Sequence, residues 1–447
     1  MKVTHAGRQI TVNVTADGDG LVSHAGSALL AQVADKTGLT RFLGFAVGEP
    51  GLRAGSHDRG RVIRDLAVML ADGGDCLADL RAVGDQAVLF GSTASPSTAF
   101  RVIDRIASTP GLIDAVRDAH ARTRARVWEL AGAPARLTID LDATLITAHS
   151  EKDQAAGTFK GGYGFAPMLA YADETGEALA GELRPGNAGA NNAADQIAVA
   201  EQALAQIPAE QVEAIEIVLR VDSAGASHEL IDWCREGQIE FSVGYDLTET
   251  VRSAILKIPE PDWVCSLDQD GQARPNGQVC EITDQLDLTS WPEGTRVIVR
   301  RERAHPGAQL SFTDHDGHRF QAILTDQTGE IAELERDHRG RARVEDHIRN
   351  DKETGMRNMP FRDFAHNHVW LQLVRLAHDL IVWTQRLLLA GELAKAEPKR
   401  LRYRLLHVAA RLAFHARTAT LRLPAAWPWA DQLAAAFKRL TALTAPA

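Results

Sequence analysis

Apolar residues between Ser27 and about Leu130 recur every three or four positions. GSALLAQVADKTGL and HDRGRVIRDLAVMLADGG each read as a helix with one apolar stripe. SPSTAFRVIDRIA opens on Ser/Thr with Pro96 near its first turn, the pattern of a capped helix. Ahead of these helices, RQITVNVT alternates like a short strand. At Arg136 the period drops to two. RLTIDLDATL places Leu137, Ile139 and Leu141 on one face and Thr138, Asp140, Asp142 and Thr144 on the other. YGFAPMLAYAD and ALAGELRPG read as two further strands joined by a turn at Asp173–Gly176. NNAADQIAVAEQALAQI then predicts a helix. AIEIVLRVDSAG is an apolar run that ends on Asp222, as a buried strand meeting a loop does. The helix SHELIDWCREG and the strand IEFSVGYD complete this stretch.

The resulting order, β-β-β-α-β-α-β, is that of a ribonuclease-H-like α/β core. WVCSLDQ, QVCEITDQ, TRVIVRRER and RFQAILTDQ follow as short strands between Gly, Pro and Asp turns, and predict a β-rich insertion. A charged helix, HRGRARVEDHIRNDK, comes next, followed by a long amphipathic one starting at FAHNHVW. The last basic stretch, PKRLRYRLLHVAARLAFHARTATLRLPAAWPW, has apolar residues at helical spacing and no Asp or Glu. It predicts a basic helical C-terminus able to track phosphates, with Arg400, Arg402 and Arg404 as candidate contacts. The expected divisions are a mostly helical region over 1–131, a first part of the core over 132–249 and the insertion over 250–330. A second part of the core over 331–395 and the basic region over 396–447 complete the chain.

Composition narrows the function classes. The 447 residues are 45% hydrophobic and 24% charged, ordinary for a globular protein. No apolar run reaches the ~20 residues of a membrane span, and MKVTHAGRQITVNV has no apolar signal core, so a cytoplasmic protein is expected. Cys76, Cys234, Cys265 and Cys280 form no CxxC pair and read as free thiols. A net charge of −10 argues against coating of nucleic acid, though not against a DNA enzyme with local basic patches.

Carboxylates are the candidate chemistry. Asp142, or its same-face neighbour Asp140, lies on the first core strand; Asp222 ends a later strand; Glu345 is on the charged helix. Acids from three elements that converge can bind hard divalent cations, and two such ions suit phosphoryl transfer. Alternation does not choose between the two aspartates, and DLD alone also fits the DxD clamp of a metal-dependent glycosyltransferase. On a helical wheel at about 100° per residue, Arg341, Glu345 and Lys352 fall within roughly 40°. His366 and His368, two apart on a helix, face different ways and do not predict a metal site. His149, His228 and His347 read as surface or core histidines.

The charged helix resembles the signature helix of DDE transposases of bacterial insertion sequences, in the cut-and-paste branch. Their pattern is Tyr, two residues, Arg, three residues, Glu, six residues, Lys. Here Arg341, Glu345 and Lys352 match at that spacing, and His338 stands where Tyr is usual. DATLITAH resembles the family's first-Asp strand and LRVDSAGAS its second-Asp segment, and LRPGNAGANN and the LRLP…WPW ending are also similar. The resemblance covers the chain from about Gly20 onward.

It implies that Asp142, rather than Asp140, joins Asp222 and Glu345 in holding Mg²⁺ or Mn²⁺, with two ions expected. Arg341, Lys352 and His338 would contact DNA phosphates. The insertion would grip element ends and help a DNA hairpin form, with Trp263 or Trp291 stacking on a flipped base. Double-stranded DNA, as terminal inverted repeats and target, and a second copy of the chain are the implied partners. A transposase-derived DNA-binding protein that no longer cuts is the alternative.

Overall fold

The computed structural model describes residues 2–5, 8–48, 57–149, 151–303 and 314–444. Its centre is a nine-stranded mixed sheet. The strand Arg136–Ala143 (β1) pairs antiparallel with Met168–Ala172 (β2), which pairs antiparallel with Ala178–Glu182 (β3). On the other side β1 runs parallel to Glu216–Val221 (β4), and β4 parallel to Glu240–Tyr245 (β5). The helix Ala193–Leu204 (α6) packs on β1, β2 and β3, and His228–Glu236 (α7) packs on β5.

The segment read as an insertion continues this sheet. Val264–Leu267 (β6), Ala273–Glu281 (β7), Arg296–Arg303 (β8) and His318–Thr325 (β9) form an antiparallel meander, and β9 pairs antiparallel with β5. The helix Ile331–Arg339 (α8) crosses the meander. Leu334 meets Val279 and Ile298 there in a small separate apolar cluster. Cys265 lies opposite Gln278, not Cys280, and all four cysteines are free.

Helices supply the rest of the core. Ser27–Thr37 (α1), Leu39–Val47 (α2), Arg59–Ala71 (α3), Pro96–Ser108 (α4) and Leu112–Ala131 (α5) form the N-terminal region. Asp58 caps α3 and Ser95 caps α4, with Pro96 in the first turn of α4. The 25-residue helix Phe364–Leu388 (α10) packs on α1, α3, α4, α5 and β3 at once. It is buried on nearly every side, beyond the single apolar stripe expected. Its polar residues survive burial because each meets a partner. Asp379 accepts from Arg124 at 2.6 Å and His120 at 2.7 Å, and Trp383 donates to Glu177 at 2.7 Å. No helix among the described residues is long and apolar enough to cross a membrane.

Two sequence expectations are corrected. The charged segment is not one regular helix. Helix α8 ends at Arg339, a 3₁₀ turn spans Gly340–Ala342, Arg343–Asp351 (α9) resumes, and a π-type turn follows at Lys352–Met356. Gly355, at φ 99°, ends that turn in a conformation L side chains rarely adopt.

The basic C-terminus is not a helix either. A short helix at Pro398–Leu401 and a π-type turn lead into a hairpin of Ala410–His415 (β10) and Thr418–Arg422 (β11), and then Ala430–Ala442 (α11). Its apolar residues also alternate, Thr418 and Thr420 favour strand, and β10 finds an edge to pair with at Leu21–Val22.

Behind α9, Asp351 accepts from Tyr171 Oη at 2.6 Å and lies 2.5 Å from His378 Nδ1, while the other His378 nitrogen meets the Gly176 carbonyl at 2.8 Å. Burial pushes the imidazole down, but the Asp351 carboxylate outweighs it and lifts the pKa to about 9. A histidine raised from 6.5 stabilises the fold fully below pH 6.5, and that contribution is lost as pH rises through about 9. In urea titrations His378→Asn should therefore be less stable than the parent at pH 6, on the order of 1–3 kcal/mol, with the gap narrowing by pH 9.5. A gap that does not depend on pH would show that His378 is neutral.

Candidate active site

Parallel pairing of β1 and β4 sets their C-terminal ends side by side. Asp142 is the penultimate residue of β1, and Asp222 follows β4 directly. Asp222 caps the turn at Ser223–Gly225, accepting from Ala224 N at 3.1 Å. Glu345 projects from the first turn of α9 and is exposed. The three line one cavity of about 400 Å³, together with Arg341, Lys160 and Gln196.

Arg341 lies between two of the acids. Its Nη2 is 3.1 Å from Asp142 Oδ1 and 3.5 Å from Asp222 Oδ2. Burial pushes the Asp142 carboxyl up, Arg341 pulls it down, and the Asp222 and Glu345 charges push it up again. This is the balance expected of carboxylates held near one another beside a single guanidinium. The donor set is all oxygen, which fits a hard divalent cation.

Among the described residues, the His/Cys/Asp/Glu groups whose ligand atoms lie within 4.8 Å of one another are His24–Asp72–His407 and Asp75–Cys76–Asp79. The three carboxylates are more widely spaced, with a guanidinium between two of them. Arg341 Nε is buried and has no hydrogen-bond partner, a donor still open to an acceptor such as a phosphate oxygen.

The family model described as Transposase DDE domain group 1 matches residues 4–445. This chain belongs to that family. A piggyBac transposase, in a synaptic complex with hairpin DNA, is similar at 9% identity and a TM-score of 0.41, over 86% of this chain and 79% of that one. No curated protein matches the chain.

In this transposase-family chain Asp140 stands apart from the cavity. It is 1% exposed and faces Arg220, its register partner on β4. Arg220 donates to it from Nε at 2.6 Å and from Nη2 at 2.7 Å. Burial pushes the Asp140 carboxyl up, to about 6, against the pull of Arg220. The structure therefore corrects the alternative placing of Asp140 among the metal ligands: both of its oxygens are spent on a guanidinium. The same pairing removes the DxD clamp on which a glycosyltransferase reading depended.

Lys352 Nζ donates to Thr144 Oγ1 at 2.7 Å, one residue beyond β1. It lines a neighbouring cavity with Lys152 and Arg357. Burial pulls its pKa down, as does Arg357, while Asp142 raises it. His338 lies 2.8 Å from Ser242 Oγ through Nδ1. Burial, then Arg220 and Arg341, pushes it down to about 3, so it is neutral and only Nε2 remains to meet a phosphate.

Arg402 is corrected from a phosphate contact to an internal clamp. It donates to the Ala71 carbonyl at 2.8 Å, the Glu353 carbonyl at 3.0 Å and Thr354 Oγ1 at 3.1 Å. Arg404 is 3.3 Å from Glu392 and lies over the Trp429 ring, whereas Arg400 is exposed. Trp263 is 7% exposed beneath Arg301. Trp291 stacks on His228 with ring centroids 4.0 Å apart. His366 and His368 meet Asp104 and Glu182 respectively.

Sequence reasoning missed Gly244. A Cβ there would come within 2.7 Å of Ser223 N, so only glycine lets β5 pack against the loop that presents Asp222. A glycine interrupting the strand IEFSVGYD was the available signal. Asp140→Ala removes two charge-assisted hydrogen bonds from buried Arg220 and leaves it Asp173 as its carboxylate partner, so it should lower unfolding free energy by about 2–3 kcal/mol. Asp142→Asn, which relieves repulsion, should leave stability within about 1 kcal/mol. Equal urea midpoints for Asp140→Ala and the parent would show that Arg220 does not depend on Asp140.

Proposed function

We propose that this chain cuts phosphodiester bonds at the ends of an insertion sequence and joins the freed 3′ hydroxyls to target DNA. The observation that carries the reading is the meeting of Asp142, Asp222 and Glu345, from three separate elements, around one cavity that also holds Arg341. The strand order β3-β2-β1-β4-β5, antiparallel on one side of β1 and parallel on the other, supports a ribonuclease-H-like core.

In this reading Asp142, Asp222 and Glu345 hold two Mg²⁺ or Mn²⁺ ions. Such ions, when bound, activate an attacking oxygen and stabilise a leaving one. The protein's own groups bind and orient the DNA. Arg341, through its unpartnered Nε, donates to a phosphate oxygen near the scissile bond, and Lys352 and Lys160 add positive charge beside it. His338 offers its remaining nitrogen as a neutral donor. Of Arg400, Arg402 and Arg404, Arg400 is the one left to meet backbone phosphates, since Arg402 and Arg404 have internal partners.

The helical region over 1–131 is assigned to recognition of DNA ends, and the β6–β9 meander to grip on the flanking duplex. Trp291, half-buried and capped by one histidine, is the better candidate for stacking on an extruded base. Duplex DNA and a second copy of the chain are the partners, because both ends of an element must be cut together.

Asp222→Asn and Glu345→Gln should each reduce nicking of a terminal-repeat duplex at least a thousandfold in Mg²⁺, with duplex affinity within about threefold of the parent. Mn²⁺ should replace Mg²⁺, and Ca²⁺ should support binding without cleavage. Gel assays of nicking and strand joining read these outcomes. Near-parental nicking by either variant, or nicking undiminished by excess chelator, contradicts the reading.

A further inference from the structure

From Pro398 to Ala430 the chain has no Asp or Glu, within a protein of net charge −10. The hairpin of β10 and β11 lies in the middle of this stretch, and its register sorts its side chains. One face carries the pairs Arg411–Arg422, Ala413–Thr420 and His415–Thr418; the other carries Leu412–Leu421 and Phe414–Ala419. Leu412 and Leu421 are half-buried against the main core, which fixes that face to the protein. Arg411, His415, Thr418, Thr420 and Arg422 are all exposed.

The hairpin is held firmly at its base. Ala410 and Arg411 pair with Val22 and Leu21, and Leu412 N donates to the Gly20 carbonyl at 2.7 Å. Gly20, at φ 70°, permits this approach, because a Cβ would lie 2.5 Å from the Leu412 carbonyl oxygen. The tip is a two-residue turn, Ala416-Arg417, with Ala416 at φ 52° in the left-handed region.

This arrangement is electrostatically incomplete. Arg411 and Arg422 face each other directly across the strands, where like charges destabilise a hairpin. Neither has an ion-pair partner among the described residues, and Arg417 at the tip has none either. An anionic surface bridging the two guanidinium groups would convert the repulsion into attraction. The hydroxyls of Thr418 and Thr420 and the His415 imidazole add donors of the kind that meet phosphate oxygens. A two-stranded ribbon also has the width that the major groove of duplex DNA admits.

We propose that the hairpin Ala410–Arg422 is a second DNA-contact surface, distinct from the carboxylate cavity, whose basic face grips the phosphate backbone of a duplex. The inference rests on the reading of the chain as a DNA enzyme, and adds to it a surface that contributes affinity without chemistry.

The test uses the full chain and a duplex of about 30 base pairs without a terminal repeat, over a salt series. Each phosphate contact contributes about 0.9 to the slope of log K against log[salt]. The double variant Arg411→Gln/Arg422→Gln should lower that slope by about two and weaken binding about tenfold or more at 0.15 M salt. Arg411→Lys/Arg422→Lys, which keeps both charges, should restore the slope, and this separates charge from fold. Nicking at saturating DNA should remain near the parent's.

An unchanged slope in the glutamine variant overturns the proposal. So does tighter binding of the parent to vesicles of phosphatidylserine than to duplex. A slope lost equally in the lysine variant would mean the hairpin acts through folding, and would also overturn it. If the parent binds duplex through this face but never nicks DNA, the enzymatic reading fails while the hairpin inference stands.

Discussion

The ion pair between Asp140 and Arg220 holds the site together. It joins β1 to β4, the two strands that present Asp142 and Asp222. Arg220 reaches further: its Nη2 lies 2.9 Å from Asp173 Oδ2, just past the end of β2, and its Nη1 donates to the Asp337 carbonyl at the end of α8. Asp173 in turn receives Arg343, the first residue of α9, with Nε at 2.5 Å. One network thus ties the two aspartate strands to the helix carrying Glu345. Buried charges tolerate little displacement, because a lost partner leaves an uncompensated ion in a low-dielectric surrounding. The carboxylates, which repel one another, are held close by attractions one layer beneath them.

A second layer works from the other side. Helix α10 fills the space between the N-terminal helices and the sheet, and through His378 it fixes Asp351 at the end of α9. Tyr171 of β2 meets the same carboxylate. The Arg402 clamp then fastens the C-terminal segment to the end of α3 and to the turn after α9. Segments distant in sequence are therefore made to support one short helix.

Much of this was legible in the chain. The period-two texture from Arg136, the apolar run ending at Asp222 and the Arg341–Glu345–Lys352 spacing located the strands and the three acids that the fold brings to one cavity. What was not legible depends on distant partners. Asp140 and Asp142 look equivalent by alternation; the resemblance favours Asp142, and the physical reason, Arg220 paired with Asp140, lies 80 residues away. The C-terminal basic run satisfies both a helical and a strand pattern, and an edge strand at Leu21–Val22 decides between them. The meander over 250–330 reads as a separate unit because nothing local reveals that β9 pairs with β5.

The central claim is that Asp142, Asp222 and Glu345 form one divalent-metal site. Iron-directed cleavage tests it most directly: Fe²⁺ replaces Mg²⁺ in the full chain, peroxide and ascorbate generate hydroxyl radicals at the bound ion, and the cut sites in the backbone are mapped by mass spectrometry. The account predicts cuts clustered near residues 142, 222 and 345, suppressed by excess Mg²⁺ and lost in the Asp222→Asn variant. Cuts confined to the His24–Asp72–His407 group, or a pattern that Mg²⁺ does not compete away, would contradict it.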